Sequence, residues 1–248
     1  MINLRKLALA LTAVLAISTT PVLAGWGLSF QKGSSAPVAA ETAEYLKQFD
    51  SYYRGNDTEK VLYLTFDAGY ENGYTEPILD VLNKHQAPAA FFLTGNYLED
   101  HPEIIQRMVN EGHIVGNHTM KHPDMTTVSD QRFEAELAGV NQIYQGIVGQ
   151  EIPKYYRPPK GTYSEANLKL AQKLGYKTVF WSLAYVDWDD DKQPSHEHAY
   201  DKLIPRIHEG AIILLHNTSK TNMEILDGLL TKYQSLGYVF KSLDELPE

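Results

Sequence analysis

Short apolar runs alternate with longer amphipathic segments along most of this chain. The run Val61–Phe66 is apolar except at Thr65, which is typical of a strand buried on both faces of a parallel sheet. The next segment, Thr75–His85, repeats apolar residues at helical spacing and predicts an amphipathic helix. The same pattern predicts further strands at Ala89–Leu93, His113–Gly116, Tyr155–Arg157, Thr178–Trp181, Ala211–Leu215 and Tyr238–Lys241. Further helices are predicted at Ala43–Tyr53, Pro102–Glu111, Ser129–Val148, Ser164–Leu174, His198–His208 and Met223–Leu236.

This repeated alternation of strand and helix predicts one parallel sheet wrapped by helices, so the expected fold class is α/β. Polar residues follow the C-terminal ends of several predicted strands, which is where barrel enzymes build their active sites. We therefore favour a distorted (β/α) barrel of about seven strands over an open, doubly wound sheet.

The first 24 residues have the layout of a secretory signal peptide. A short basic start, Asn3–Lys6, precedes an apolar core from Leu7 to Ile17 and a polar break before Ala24. Cleavage after Ala24 is expected, and the protein is then exported; an uncleaved signal that anchors the chain in a membrane is the alternative. Residues 25–57 are interpreted as a tether and N-terminal arm, and residues 58–248 as the one large domain.

Composition excludes several functions. The 248 residues carry a formal net charge of −9 without a basic stripe, which excludes nucleic acid as a partner. The absence of cysteine excludes thiolate metal sites, disulfides and cysteine nucleophiles. No G-x-S-x-G elbow, Walker loop or G-x-G-x-x-G after a strand occurs, which excludes serine hydrolases, NTPases and nucleotide cofactors. Sixteen tyrosines and three tryptophans suit stacking on sugar rings, with core positions as the ordinary alternative.

Asp67 stands at the C-terminal end of the predicted strand Val61–Phe66. Burying a carboxylate there is costly, so the side chain must be paired, coordinated or catalytic. Gly69 lets the backbone turn tightly nearby and leaves room for a ligand. We therefore interpret Asp67 as an active-site residue.

Two histidines, His118 and His122, follow another predicted strand. Imidazoles four residues apart meet on one face of a helical turn, which is a suitable geometry for one metal ion. Because this spacing is common, two loop histidines with no shared task are the alternative. Their position after Gly116 and Asn117, at a strand end, favours the metal interpretation.

Arg157 ends a third strand and is followed by Pro158 and Pro159. Prolines restrict the backbone around the arginine, so its guanidinium can hold a carboxylate in one orientation. A rigid structural turn is the alternative, but a turn does not explain an arginine at a strand end.

Asp187 and His216 complete the polar residues at strand ends. An imidazole after an apolar run is a credible general acid if an aspartate holds its other nitrogen, and Asp187 can supply that carboxylate. A satisfied core histidine is the alternative for His216. The neighbouring acids Asp189, Asp190 and Asp191 are interpreted as solvated, with an adventitious cation site as the alternative.

Together these residues predict a metal-assisted hydrolase. A divalent metal, zinc or a similar ion, would polarise a carbonyl group and lower the pKa of its bound water. Asp67 would then remove a proton, and His216 would protonate a leaving amine.

The ordered motifs resemble those of the NodB-homology polysaccharide deacetylases, carbohydrate esterase family 4. The resemblance covers about Lys60 to Leu246 and rests on Thr65-Phe66-Asp67, His118-x3-His122, Arg157-Pro158-Pro159-x-Gly161, Asp187-Trp188 and Leu214-Leu215-His216. It implies a NodB-type, TIM-like barrel that hydrolyses the N-acetyl group of an amino sugar in a polymer. The implied roles are base for Asp67, acid for His216, metal ligands for His118 and His122, and orienting residues for Arg157 and Asp187.

Three longer motifs are similar to those of one subgroup, the delta-lactam-biosynthetic de-N-acetylases of spore-forming bacteria. They are Phe66-Asp67-x-Gly69-Tyr70-Glu71-Asn72-Gly73, Arg157-Pro158-Pro159-Lys160-Gly161 and Tyr185-Val186-Asp187-Trp188. This resemblance implies N-acetylmuramic acid in peptide-free peptidoglycan strands as substrate, and muramic δ-lactam of spore cortex as the later product. A monomer in the cell wall or spore envelope is expected. The implied substrate-binding residues are Tyr70, Asn72, Pro159, Lys160, Gly161 and Trp188.

Ala68 departs from the family pattern. The wider family carries a second aspartate there, which completes the metal site with two histidines, and an alanine methyl group binds no metal. Water, substrate or Asn72 would fill the remaining coordination positions, and loss of an anionic ligand should weaken metal affinity. Ala184 likewise stands where many relatives have an acid.

Other functions stay open at this point. A weakened metal site suits a non-catalytic glycan-binding protein, and backbone amides can replace the metal in a metal-independent deacetylase. N-acetylglucosamine, in peptidoglycan or a chitin-like polymer, is the alternative substrate. An enzyme is favoured, since a binding protein needs no base, no acid and no orienting residue for each.

Overall fold

The computed structural model describes residues 24–31 and 34–247. The strands in these ranges are β1 (Ala24–Gly25), β2 (Leu28–Ser29), β3 (Val38–Ala39), β4 (Ser51–Tyr52), β5 (Val61–Ala68), β6 (Ala89–Leu93), β7 (Ile114–Asn117), β8 (Tyr155–Tyr156), β9 (Thr162–Tyr163), β10 (Lys177–Val179), β11 (Ala211–His216) and β12 (Val239–Phe240). The α-helices are α1 (Ala43–Lys47), α2 (Thr75–Lys84), α3 (Gly95–Asp100), α4 (Pro102–Asn110), α5 (Asp130–Val148), α6 (Glu165–Lys173), α7 (His196–Leu203) and α8 (Lys220–Ser235).

The central sheet is parallel and curled. Its strands follow the order β11-β5-β6-β7-β8-β10-β4, and β12 pairs with the first residues of β5. Beyond β10, Leu183 bridges to Ile213 of β11, so the sheet turns back toward its first strand. The predicted α/β class and the distorted barrel of about seven strands are confirmed.

The longest strand, β5, sorts its side chains between two layers because successive residues point to opposite faces. Leu64 and Phe66 pack in the cluster formed with the helices, where Phe66 stacks on Phe91 at 5.1 Å between ring centroids. Tyr63 packs in the cluster inside the barrel. Asp67 follows the alternation of Tyr63, and its carboxylate therefore faces the barrel interior at the C-terminal edge.

Two predicted helices differ from the observed ones. The helix predicted over Ala43–Tyr53 ends at Lys47, and Asp50 then adopts a left-handed conformation with φ +48°. This turn lets Ser51–Tyr52 pair with β10 as an additional strand, which local sequence does not predict. The helix predicted over His198–His208 is His196–Leu203, because Ser195 caps it earlier and Pro205 prevents its extension.

The described part of the predicted N-terminal arm packs against the rest of the chain. Its first strand, β1, pairs antiparallel with β9. Trp26 is buried, stacks on Phe180 with ring centroids 4.6 Å apart, and donates from Nε1 to the carbonyl oxygen of Trp181 at 2.8 Å. Its backbone N–H donates to Gly161 O at 2.9 Å. The arm thus contacts the turn after β8, close to the predicted active site.

The predicted signal peptide lies outside the described residues except at Ala24. Within residues 24–31 and 34–247, no helix has the length and apolar character needed to cross a membrane.

Candidate active site

A cavity of about 720 Å³ lies where β5, β6, β7 and β11 end. Its wall includes most of the predicted site residues, namely Asp67, Tyr70, His118, His122, Lys160, Gly161, Trp188 and His216. Arg157 and Asp187 are buried behind this wall. The structure therefore brings the proposed base, the proposed acid and both histidines of the predicted metal site to one place.

Asp67 is held by Arg157. Arg157 Nη1 lies 2.7 Å from Asp67 Oδ1 and also donates to Thr65 Oγ1 at 2.9 Å. Nε and Nη2 donate to the carbonyl oxygens of Val179 and Phe180 at 2.9 and 3.2 Å. Burial lowers the pKa of Arg157, Asp67 opposes that effect, and the guanidinium stays charged at neutral pH. Asp67 Oδ1 is thereby occupied, and Oδ2 is left to act on a substrate.

His216 is held by Asp187. Its Nδ1 lies 2.7 Å from Asp187 Oδ1, and its backbone N–H donates to Oδ2 at 2.9 Å. Burial alone would lower the pKa of His216, but the adjacent Asp187 carboxylate outweighs burial and raises the pKa above its ordinary value of 6.5. With Nδ1 directed at Asp187, Nε2 is the nitrogen that can give a proton to a bound molecule.

A buried asparagine supports this pair. Asn222, in the first turn of α8, donates from Nδ2 to Asp187 Oδ2 at 2.6 Å and to the His216 carbonyl oxygen at 3.0 Å. Its own Oδ1 accepts a hydrogen bond from Tyr185 at 2.5 Å. These contacts fix the Asp187 carboxylate in the orientation that His216 needs.

The two histidines of the predicted metal site are neighbours, with ring centroids 4.8 Å apart. The prediction of a helical turn is wrong, since His118 and His122 lie in a loop after β7 in which Thr119 and His122 have positive φ angles of +70° and +54°. Asn117 Oδ1 accepts from the Thr119 N–H, and Thr119 Oγ1 accepts from the His122 N–H, each at 3.0 Å. In this loop the backbone N–H groups of Thr119 and His122 thus donate to side-chain oxygens instead of to helical carbonyl oxygens.

His118 is prepared to act as a metal ligand. Its Nδ1 lies 2.8 Å from the Arg157 carbonyl oxygen, which can only accept, so Nδ1 carries the proton and Nε2 keeps a free lone pair. Burial lowers the pKa of His118 to about 4, and it also lowers the pKa of His122. Both rings are therefore neutral at pH 7, as metal binding requires.

The donor set fits a divalent ion in part. Ala68 lines the cavity beside the two imidazoles and offers no donor atom. Among residues 24–31 and 34–247, no group of three or more His, Cys, Asp or Glu side chains is arranged to hold a metal ion. His118 and His122 would hold an ion as a pair, with its other coordination positions open to water and substrate.

Aromatic side chains form the outer wall of the cavity. Tyr70 and Trp188 remain 47% and 53% exposed although both line it, which leaves ring faces available to a sugar. Asp190 is exposed, as predicted for a solvated acid, but it also has protein partners. Its carboxylate accepts from Tyr70 Oη at 2.9 Å and from Asn72 Nδ2 at 3.3 Å, and so ties the loop after Asp187 to the loop after β5.

Two predicted substrate-binding residues are placed elsewhere. Asn72 lines an adjacent cavity of about 280 Å³, and its Nδ2 also donates to Thr218 O at 3.0 Å. It is therefore not positioned as a replacement ligand beside His118. Pro159 is buried in the turn that carries Lys160. Substrate binding by these residues stays a prediction.

Several residues of this site have contacts that the sequence does not predict. Thr65 belongs to the motif Thr65-Phe66-Asp67, yet its hydrogen bonds to Arg157 and, at 2.6 Å, to Ile213 O depend on partners distant in sequence. Asn222 is separated from His216 by a turn, and the only local signal is an asparagine at the start of a helix. Trp181 also lines the cavity, and the sequence pattern places it only at the end of a predicted strand.

Comparisons with known proteins agree with the geometry. The family model for polysaccharide deacetylase matches residues 54–179, about half of the chain. Peptidoglycan-N-acetylmuramic acid deacetylase PdaA of Bacillus subtilis is 45% identical over 93% of this chain and 88% of its own length. The structure of that protein, a family 4 carbohydrate esterase, superposes with a TM-score of 0.86 over 91% of this chain and 97% of the other.

Two structures from Bacillus anthracis are also similar. One is a family 4 carbohydrate esterase, 40% identical with a TM-score of 0.75, and it covers 92% of this chain and 97% of its own. The other is a family 4 pseudoenzyme, 30% identical with a TM-score of 0.74. The match covers 79% of this chain and 68% of the pseudoenzyme chain. The chain therefore belongs to the polysaccharide deacetylases, the NodB-type members of carbohydrate esterase family 4, which hydrolyse carbon–nitrogen bonds.

Proposed function

We propose that the protein removes the N-acetyl group from N-acetylmuramic acid in peptide-free strands of peptidoglycan. The observation that carries this proposal is the pair Asp67 and His216, which line one cavity while each is held by its own buried partner. A binding protein has no need of two such pairs. The similarity to PdaA, whose name gives this amino sugar, supports the substrate.

Two residues carry out the proton transfers of the proposed reaction. Asp67 Oδ2 accepts a proton from the water whose oxygen attacks the acetamide carbonyl carbon. His216 Nε2 then donates a proton to the amide nitrogen as the carbon–nitrogen bond breaks. The products are acetate and a free amine on the sugar, and one water is consumed. Arg157 and Asp187 keep the two groups oriented throughout.

A divalent ion held by His118 and His122 would supply polarisation of the acetamide carbonyl group when bound. The neutral state of both imidazoles and the free Nε2 of His118 favour such binding. The absence of an acid at position 68 predicts weak affinity.

The proposal also covers the later product made from the deacetylated sugar and the place where the protein acts. The freed amine lies next to the lactyl carboxyl group of muramic acid, so condensation of the two with loss of one water gives the muramic δ-lactam of spore cortex. A signal peptide over residues 1–24 would export the protein, as a monomer, to the cell wall or spore envelope.

Acetate release from defined glycans tests the proposed function. Purified protein should release acetate from peptide-free glycan that contains N-acetylmuramic acid, and the freed amine should be located on the muramic residue by mass spectrometry. Release from N-acetylglucosamine oligomers alone would overturn the substrate. Glycan binding without any acetate release would instead favour the non-catalytic function that the similar pseudoenzyme exemplifies.

A further inference from the structure

The cavity wall carries more positive than negative charge. Among the residues that the structure describes, two lysines, Lys121 and Lys160, and one acid, Asp67, line it. The negative charge of Asp67 is balanced by the positive charge of Arg157, with which it forms an ion pair. An uncharged N-acetyl sugar makes no use of the remaining cations, so the wall is suited to a substrate with an anionic substituent.

The two lysines differ in their partners. Lys121 Nζ donates to Asn96 Oδ1 at 2.6 Å. The side chain of Lys160 has no hydrogen bond or ion pair with any residue in 24–31 and 34–247. Lys160 is exposed, and its charge acts on His122 and on the Asp124 carboxylate, with which it forms no ion pair. These two neighbours place Lys160 on the side of the cavity formed by the histidine loop. Lys160 therefore keeps all its hydrogen-bond donors for a ligand, whereas Lys121 already uses one on Asn96.

The backbone holds Lys160 in a strained conformation. Its φ of +57° and ψ of 11° are left-handed, a conformation that is unfavourable for a residue other than glycine. Glycine or asparagine accepts these angles more readily. Strain of this kind is kept where function needs the side chain, so the presence of lysine points to a role for its ammonium group.

Surrounding contacts keep this turn rigid. Pro158 and Pro159 precede Lys160 and are both buried. Gly161 has a φ of +66°, and a Cβ there would approach Trp181 and Trp26 to 2.8 and 2.9 Å. The Trp26 N–H also donates to the Gly161 carbonyl oxygen. The Lys160 side chain therefore starts from a fixed point on the cavity wall.

From these observations, and resting on the proposed function, we infer that Lys160 binds the free lactyl carboxylate of N-acetylmuramic acid and selects this sugar over N-acetylglucosamine. The lactyl ether is on C3 of the sugar, next to the acetamido group on C2. With the acetamido carbon between Asp67 and His216, the carboxylate lies at an adjoining part of the wall. N-acetylglucosamine has only a hydroxyl group there and cannot form the ion pair.

The experiment compares two forms of one glycan. The first is peptide-free glycan with free lactyl carboxylates, and the second has the same carboxylates converted to methylamides. Wild type should prefer the first. Lys160→Asn, which suits the left-handed backbone, should lose about tenfold in kcat/KM on the first glycan, mainly through KM, because one charge-assisted contact is lost. Its preference between the two glycans should disappear, and Lys160→Arg should keep it.

Lys173→Asn, an exposed change on α6, is the control for loss of one positive charge. A Lys160→Asn variant that keeps the wild-type preference for the free carboxylate would overturn the inference. Equal losses on both glycans would also overturn it, since they would show that Lys160 acts on the shared sugar. Failure of wild type to release acetate from either glycan, while N-acetylglucosamine oligomers are deacetylated, would instead overturn the proposed substrate.

Discussion

Arg157 and Asp67 form an ion pair inside the barrel, with 2.7 Å between Nη1 and Oδ1 and no exposed surface on the arginine. The two oxygens of the Asp67 carboxylate therefore have different surroundings. Oδ1 accepts a hydrogen bond from the guanidinium, and Oδ2 lies at the cavity, 3.7 Å from His118 Nε2. The pair thus determines which oxygen of Asp67 meets the substrate. A substitution that breaks this ion pair is therefore expected to lower both the stability of the fold and the rate of acetate release.

Arg157→Met should destabilise the protein by about 3–5 kcal/mol, because it leaves Asp67 buried without its partner. Acetate release should also be lost, since Oδ1 is no longer held. Urea denaturation measures the first effect. The double variant Arg157→Met with Asp67→Asn is the control and should lose less stability than Arg157→Met alone. Wild-type stability in Arg157→Met would contradict the role of the pair.

The activity should depend on pH through His216, which must be protonated to act as the acid. Since its pKa is raised above 6.5, activity should persist above that pH and fall as pH rises through the pKa of the folded protein. The same shift stabilises the fold below the unfolded-state pKa, and this stability is lost over the same rise in pH. A kcat profile against pH and stability measurements across the same range locate this transition.

Asp187→Asn should move the alkaline limb of that profile to lower pH, because the carboxylate that raises the pKa of His216 is removed and burial then dominates. Asn222→Ala, which weakens the hold on Asp187 without removing its charge, should lower kcat and shift the limb less. An alkaline limb that stays in place in Asp187→Asn would exclude His216 as the titrating acid.

Metal binding should be weak in the wild type and stronger in Ala68→Asp, because the new carboxylate would lie beside His118 and His122. Titration calorimetry with zinc measures affinity independently of activity. His122→Ala in the Ala68→Asp background should lose most of the gain. If neither wild type nor Ala68→Asp binds zinc, the two histidines are not a metal site. Chelation then tests whether acetate release needs the ion.

The N-terminal arm should contribute to the active site. Trp26→Phe keeps an aromatic ring but removes the Nε1–H bond to the Trp181 carbonyl, which should cost about 1 kcal/mol of stability. KM should rise more than kcat falls, because Trp181 and Gly161 line the cavity. Val38→Ala, an exposed change in β3, is the matched control. Unchanged KM and stability in Trp26→Phe would show that the arm has no such role.

The parts of the fold predicted correctly from sequence are those with strong local patterns. The apolar β5 and β11, and the amphipathic α2, are recognisable because burial on both faces or on one face fixes their composition. The short strand Ser51–Tyr52 could not be predicted, since it falls within a segment of helical pattern and its structure depends on pairing with β10.

The same limit applies to the site. Asp67 and His216 were predicted because each is polar after an apolar strand. Asn222 and Asp190 were not, because their function depends on contacts across long separations in sequence. The histidine loop was misjudged as helical since spacing alone does not report the side-chain bonds of Asn117 and Thr119 that shape it.

Acetate release by Asp67→Asn and His216→Ala, measured on peptide-free glycan that contains N-acetylmuramic acid, tests the central claim most directly. Asp67→Asn keeps an oxygen for Arg157 and should stay folded, and His216 is partly exposed, so its truncation should be tolerated. With folding verified by circular dichroism, both variants should release no acetate above background while wild type does. Full acetate release by either folded variant would contradict the assignment of Asp67 as base and His216 as acid.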